Sequence, residues 1–341
     1  MGSVIDGISG AVGGTPLVRL RRLLGESGPE RGPQVLAKLE SANPGGSAKD
    51  RPARRMVEDA VRRGLVRPGG TLIESSSGNL GVALAQQARF HGLRFICVVD
   101  PRTSPVSAAL VRAYGGIVHP VTAPDPETGD WLVARKAEVQ RLLGVIDGAY
   151  SCDQYANPLN VAAHAEGTMA EIVETAGPSL RAVVVATSTT GTLGGCLAYV
   201  RDRRLDIAVI AVDAEGSVLF GGVRGPRLLP GFGSGSATGL SANATPDRVV
   251  RVSDLDCVVG CRRLVRREAL LAGASGGGVV RAVETIAGGY GPGDTIAAIL
   301  HDGGERYLDT VYDDAWVASR LGCDAATVEG LVNLATPLAA A

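Results

Sequence analysis

Along the chain, short apolar runs rich in β-branched residues alternate with stretches whose apolar positions recur every three to four residues. The first pattern predicts strands over 34–40, 71–74, 94–99, 116–121, 182–186, 207–212 and 295–300. The second predicts helices over 51–63, 80–91, 107–114, 131–143, 194–201, 261–270 and 279–287, the first of them ended by Gly64. Regular β-α alternation implies an α/β fold of parallel sheets flanked by helices on both faces. At 341 residues the chain exceeds the roughly 100–200 of one domain, so two lobes are expected. Two long loops, 124–130 and 220–244, are rich in Gly, Ser and Pro.

Composition narrows the function classes. Thirty-four basic residues against thirty-five acidic ones give a net charge of −1 with no basic block, which offers nothing to nucleic acid or an anionic membrane. The apolar runs are far shorter than the ~20 residues a membrane span needs, and the first residues carry neither a basic nor an apolar signal region. A cytoplasmic location is the expectation. Six scattered cysteines and only four histidines argue for reduced structural thiols and no metal centre. The 47 glycines fall in clusters, as in ligand-binding loops.

Only three of the basic residues are lysines: Lys38, Lys49 and Lys136. Arginine cannot do nucleophilic amine chemistry, because guanidinium does not deprotonate, so a retained lysine invites attention. Lys38 lies in an alternating stretch and is expected to face solvent, and Lys136 on a solvated helix face. Lys49 differs. It sits where the loop Ser41-Ala42-Asn43-Pro44-Gly45-Gly46-Ser47-Ala48 enters a helix, and the helix start would lower its ammonium pKa. A second strand-loop-helix join, Ser75-Ser76-Ser77-Gly78-Asn79, offers amides and hydroxyls to a carboxylate or phosphate. A third, Thr187-Ser188-Thr189-Thr190-Gly191-Thr192, resembles a phosphate cradle but has neither the lysine of a nucleotide P-loop nor the dinucleotide fingerprint. Each loop taken alone is also a plain capped turn. Together, a reactive lysine, a carboxylate socket and a phosphate cradle suggest pyridoxal 5′-phosphate and an amino-acid substrate. A nicotinamide oxidoreductase would show the missing fingerprint, and a non-catalytic binding protein would not need Lys49.

Six motifs occur in the order and spacing of the cysteine synthase/cystathionine β-synthase family. They are Gly13-Gly14-Thr15-Pro16-Leu17, the 43–51 loop, Ser76-Ser77-Gly78-Asn79, Gln154-Tyr155-Ala156-Asn157-Pro158, the 189–192 cradle and Gly273-Ala274-Ser275-Gly276-Gly277. The resemblance runs from about residue 10 to about 315. It implies a two-lobed fold-type II pyridoxal-phosphate enzyme, similar to the tryptophan synthase β chain. The smaller mobile lobe would span 45–155 and bind the substrate carboxylate. The larger, 10–44 with 156–320, would hold the cofactor phosphate, and 321–341 would be a C-terminal tail. Independently of the resemblance, residues 318–341 are expected to be partly disordered, as chain ends often are. A homodimer is implied by the family alone.

Residue by residue, the resemblance implies that Lys49 carries the cofactor as a Schiff base and that Asn79 bonds its 3′-oxygen. Ser188, Thr189, Thr190, Gly191 and Thr192 would hold its phosphate, and Ser275 would face the ring nitrogen. Ser76, Ser77, Gly78, Asn79 and Leu80 would bind the substrate carboxylate, with Gln154 and Tyr155 alongside. A neutral hydroxyl at the ring nitrogen favours β-elimination and replacement over transamination. Leu80, Tyr155 and Ser188 stand where the sulfhydrylases usually have Thr, Phe and Gly. With Val212-Asp213-Ala214-Glu215-Gly216-Ser217 and Gly304-Glu305-Arg306-Tyr307-Leu308-Asp309, they resemble the N-(2-amino-2-carboxyethyl)-L-glutamate synthase branch. That branch joins O-phospho-L-serine to L-glutamate, releases phosphate, and feeds 2,3-diaminopropionate to siderophores and peptide antibiotics. The alternative is a cysteine synthase using O-acetyl- or O-phosphoserine with sulfide. His164 and His301 are read as structural.

Overall fold

A computed structural model describes residues 4–25 and 32–334. In chain order the elements begin with α1 (Gly7–Gly10), β1 (Leu17–Arg19), β2 (Gln34–Leu39), α2 (Asp50–Arg62), β3 (Thr71–Ser75), α3 (Asn79–Phe90) and β4 (Arg94–Val99). There follow α4 (Pro105–Ala113), β5 (Ile117–Pro120), α5 (Trp131–Val145), α6 (Pro158–Ala163), α7 (Ala170–Ala176), β6 (Leu180–Ala186), α8 (Gly191–Asp202) and β7 (Ala208–Ala214). The chain closes with β8 (Arg248–Val252), α9 (Asp254–Glu268), α10 (Ala274–Ile286), β9 (Thr295–Leu300), α11 (Asp314–Leu321) and α12 (Ala325–Asn333).

Two compact units result. One comprises residues 1–13 and 43–163, the other residues 14–42 and 164–341. The first holds a three-stranded parallel sheet in the order β3-β4-β5. All five residues of β3 are buried, as expected for a strand covered on both faces. Its largest apolar cluster joins Met56 and Val57 of α2, Leu80 to Ala88 of α3, and Phe95 and Cys97 of β4.

The second unit holds a six-stranded sheet ordered β1-β2-β9-β6-β7-β8, parallel except for β1, which pairs antiparallel with β2. Helices flank it with two apolar clusters, one through α9 and α10 and the other through α8 and β6. Contact between α9 and α10 is backbone-close at Gly277, where a Cβ would overlap the Cys257 carbonyl oxygen and lie 2.7 Å from Cys261 Sγ. Helix α9 begins seven residues earlier than its apolar spacing predicts. A capping box sets that start, with Ser253 and Asp256 each taking the other's orphan amide.

One expectation is corrected here. Lys38 is not solvent-facing but 1% exposed, its Nζ 2.6 Å from both the Thr15 carbonyl and Glu171 Oε2. Alternation does not mark a wet face in a strand with neighbours on both sides. Of the residues after 320, those described are packed: α12 buries Val328 and Val332, and the Arg263 guanidinium donates to the Val332 and Leu331 carbonyls. Residues 335–341, including the terminal alanines, lie outside the described residues. No helix among the described residues is long and apolar enough to cross a membrane.

Candidate active site

In the first unit, Lys49 is the N-cap residue of α2 and half-buried. The loop that presents it is organised by Asp50, which is fully buried and accepts from the Gly45 amide (2.6 Å), the Ser47 amide (3.1 Å) and the Ser47 hydroxyl (3.3 Å). The acidic group at the first turn also suits the helix dipole. Gly45 is required, since a Cβ there would collide with the Asp50 carboxylate. The Lys49 amide donates to Ser47 Oγ at 3.2 Å, so the backbone at position 49 is held on both sides.

The 75–80 loop leaves β3 and enters α3. Ser76 is buried and its Oγ accepts from the Gly81 amide at 2.9 Å. Ser77, Gly78 and Asn79 are half-buried. Leu80 turns its side chain into the apolar core, so a contact from this residue to a ligand would come from its amide. The 151–155 segment comes beside this loop: Gln154 Nε2 donates to the Ser75 carbonyl at 3.0 Å, and Asn160 Nδ2 donates to the Gln154 backbone carbonyl at 2.9 Å. Tyr155 is half-buried with the ammonium of Lys136 5.5 Å above its ring, and burial pushes its phenol up to about 12. Lys136 is exposed, on the solvated face its pattern predicts.

Two residues of this unit carry chemistry that the sequence does not announce. Arg135, on α5, is buried, its side chain 7% exposed. Its Nε lies 3.2 Å from the Asp100 carboxylate, yet neither Nε nor Nη1 makes a hydrogen bond to any described residue. Burial pushes the Cys97 thiol and the Tyr155 phenol up to about 12, and the Arg135 charge opposes that rise at both, which places the guanidinium in their neighbourhood. Glu74, at the end of β3, is 3% exposed. Arg135 was one of thirty-one arginines with no distinguishing motif, and Glu74 reads as an ordinary strand residue.

In the second unit, the 187–192 loop joins β6 to α8. Thr187, Thr189, Thr190, Gly191 and Thr192 are buried and Ser188 is half-buried. Thr190 has φ 67°, a left-handed conformation that a β-branched residue adopts only where surrounding structure enforces it. The enforcement comes from the long loop before β8. Thr238 Oγ1 donates to the Thr189 carbonyl at 3.1 Å, and the Gly233 amide donates to the Thr187 carbonyl at 2.8 Å. His164 is fully buried at the start of a π-helical turn, His164–Met169. Its Nδ1 lies 3.0 Å from Thr168 Oγ1 and its Nε2 3.3 Å from Thr192 Oγ1, so a histidine without apparent assignment reaches the cradle. Ser275 is half-buried in the first turn of α10, whose N-cap amide, Gly273, donates to the Asp302 carbonyl at 3.0 Å. All six cysteines are buried free thiols, and among the described residues no group of three or more His, Cys, Asp or Glu could hold a metal ion.

The class of molecule this defines is an α/β enzyme with a buried-acid-braced lysine, an amide-rich socket and a hydroxyl-rich helix start. Residues 8–302 match the family described as pyridoxal-phosphate dependent enzyme. Among solved structures, an O-ureido-L-serine synthase is 33% identical with a TM-score of 0.81, over 93% of this chain and 100% of that one. The O-acetylserine dependent cystathionine β-synthase of Helicobacter pylori is 29% identical with a TM-score of 0.82, over 90% and 98%. A hydrogen sulfide-producing enzyme of Fusobacterium nucleatum is 26% identical with a TM-score of 0.81, over 89% and 100%. The chain belongs to the pyridoxal-phosphate dependent enzyme family, among its β-replacement synthases. The donor set fits that cofactor: residues 188–192 contribute hydroxyls and amides at a helix N-terminus, with no acidic side chain, which suits a phosphate monoester.

Proposed function

We propose that this enzyme carries out β-replacement on O-phospho-L-serine with L-glutamate as the amine nucleophile, giving N-(2-amino-2-carboxyethyl)-L-glutamate and phosphate. The observation that carries the phosphorylated donor is Arg135: a buried guanidinium, ion-paired with Asp100 through Nε, whose Nε and Nη1 make no hydrogen bond to any described residue, near Tyr155. A buried cation of that kind suits a bidentate oxyanion such as a phosphate. In this reading Lys49, Asn79, Ser188, Thr189, Thr190, Gly191, Thr192 and Ser275 hold the cofactor, and Ser76, Ser77, Gly78, Asn79, Leu80, Gln154 and Tyr155 face the substrate.

When bound, pyridoxal phosphate supplies the electron sink that stabilises negative charge at the substrate Cα. Lys49 would hold the cofactor through its ε-amine and, once displaced by the substrate amine, take the proton from Cα and later return it. Ser75-Ser76-Ser77-Gly78-Asn79 would orient the α-carboxylate through amides and hydroxyls. Arg135 would bind the phosphate as it leaves Cβ and offset its growing charge. Tyr155 and Ser188, polar where the sulfhydrylases usually have Phe and Gly, would contact the second, bulkier amino acid. Ser275 would offer the ring nitrogen a neutral hydroxyl, which would keep the sink moderate and so favour replacement over transamination. The product would serve 2,3-diaminopropionate synthesis for a siderophore or peptide antibiotic, and the active form would be a homodimer.

The test is to supply O-phospho-L-serine with L-glutamate or with sulfide and identify products by mass. Faster turnover with sulfide would reassign the chain as a cysteine synthase.

A further inference from the structure

At the floor of the first unit's amide-rich loop lies a carboxylic acid that the reaction above does not use. Glu74 Oε1 accepts from the Ser75 amide at 3.1 Å, and Oε2 accepts from the Ser151 hydroxyl at 3.4 Å, whose oxygen in turn accepts from the Asp153 amide at 3.4 Å. Position 153 has φ 46°, a left-handed turn rare outside glycine. That turn sets the direction of the next residue, Gln154, whose amide donates to the Ser75 carbonyl. The end of β3 and the 151–155 segment are therefore joined twice, once through Glu74 and once through Gln154. Both joints meet at Ser75, the residue that leads into the 76–79 loop.

We propose that Glu74 is a positioning residue for the substrate α-carboxylate, its side chain holding the 75–79 loop and the 151–155 segment in one arrangement. This rests on the reading of that loop as the carboxylate socket. The groups facing Glu74 leave its charge uncompensated. Asp153 is the charged group that bears directly on it and is of like sign. Cys97, Cys152, Tyr150 and Tyr155, the other titratable groups that sense Glu74, are neutral near pH 7. Arg135 reaches the same floor through Cys97 and Tyr155 and is paired with Asp100. Burial first, and Asp153 second, push the Glu74 carboxyl up to about 8. At pH 7 it is neutral, and above pH 8 it would bring a negative charge beneath a socket built for one. The protonated form is then the binding form, and affinity for an α-carboxylate should fall about tenfold per pH unit above that value.

The experiment titrates cofactor-loaded enzyme with L-alanine, which has the α-carboxylate and no leaving group, from pH 6.5 to 9.5, following the cofactor's visible absorption. Glu74→Gln keeps the shape and cannot ionise. The ratio of the wild-type dissociation constant to that of Glu74→Gln should rise about fivefold between pH 8 and 9. Parallel profiles would overturn the proposal. Ser76→Ala separates the two levels: if it leaves L-alanine binding unchanged, the socket reading itself fails, whereas weakened binding beside parallel profiles sinks only the role of Glu74. Should Glu74→Gln not fold, the wild type decides the matter by carbon-13 NMR of labelled glutamate. Saturating L-alanine must move the Glu74 midpoint upward, since coupling between proton and ligand is reciprocal, and an unmoved midpoint refutes it.

Discussion

Replacing Arg135 by Met tests the phosphate assignment with little change in volume. The guanidinium is buried, with its side chain 7% exposed, and two of its nitrogens make no hydrogen bond to a described residue. One charge-assisted hydrogen bond to a leaving phosphate contributes about 1.5–3 kcal/mol. At 1.36 kcal/mol per tenfold, one such bond corresponds to roughly a 12- to 160-fold loss of kcat/KM, and a second would deepen it. The loss should be confined to the phosphorylated donor, because a neutral acetate ester presents no dianion. The assay is kcat/KM for O-phospho-L-serine and for O-acetyl-L-serine, in wild type and Arg135→Met, with product phosphate or acetate measured directly. The Asp100 carboxylate loses one cation in the variant but keeps Arg102 at 3.3 Å, so unfolding midpoints are compared as a control. An equal fall for both donors would show that Arg135 acts through structure alone, and the argument for a phosphorylated substrate would collapse.

Three further outcomes are expected. Lys49→Ala should bind the cofactor without the visible absorption of a lysine-linked aldehyde and should not turn over; a retained band would move the linkage elsewhere. His164→Phe removes the imidazole that lies 3.3 Å from Thr192 Oγ1, so cofactor affinity by equilibrium dialysis should fall about 2- to 12-fold, the worth of one neutral hydrogen bond. Unchanged affinity would mean that Thr192 does not serve the phosphate. Gly277→Ala forces a methyl against the Cys257 carbonyl, and overpacking of this kind typically costs about 1–3 kcal/mol. Its urea unfolding midpoint should drop, whereas a wild-type midpoint would show that α9 and α10 separate freely.

The local motifs were legible along the chain because each is contiguous. Lys49 with its helix entry, the 75–79 loop and the 187–192 bend depend on backbone geometry within a few residues, and the regular elements from β2 to α5 fall within three residues of their predicted bounds. What escaped was of two kinds. The edge strand β1 carries only three residues, too few for periodicity to register, and β8, the other edge, sets two arginines among three valines with no regular alternation. Side chains whose role comes from distant partners have no local signature. Lys38 looks solvent-facing until Glu171, 133 residues away, supplies its counter-charge.

Composition, order and spacing by themselves determined the α/β class and singled out Lys49 and the three loops as candidates, since hydrogen-bonding capacity and strand-helix periodicity are properties of neighbouring residues. Only the tertiary structure decided which titratable groups lie buried and beside what. Burial and proximity alter charge states through solvent exclusion and fields from residues remote in sequence, which is why Glu74, Arg135 and His164 became visible as candidates only once the chain was folded.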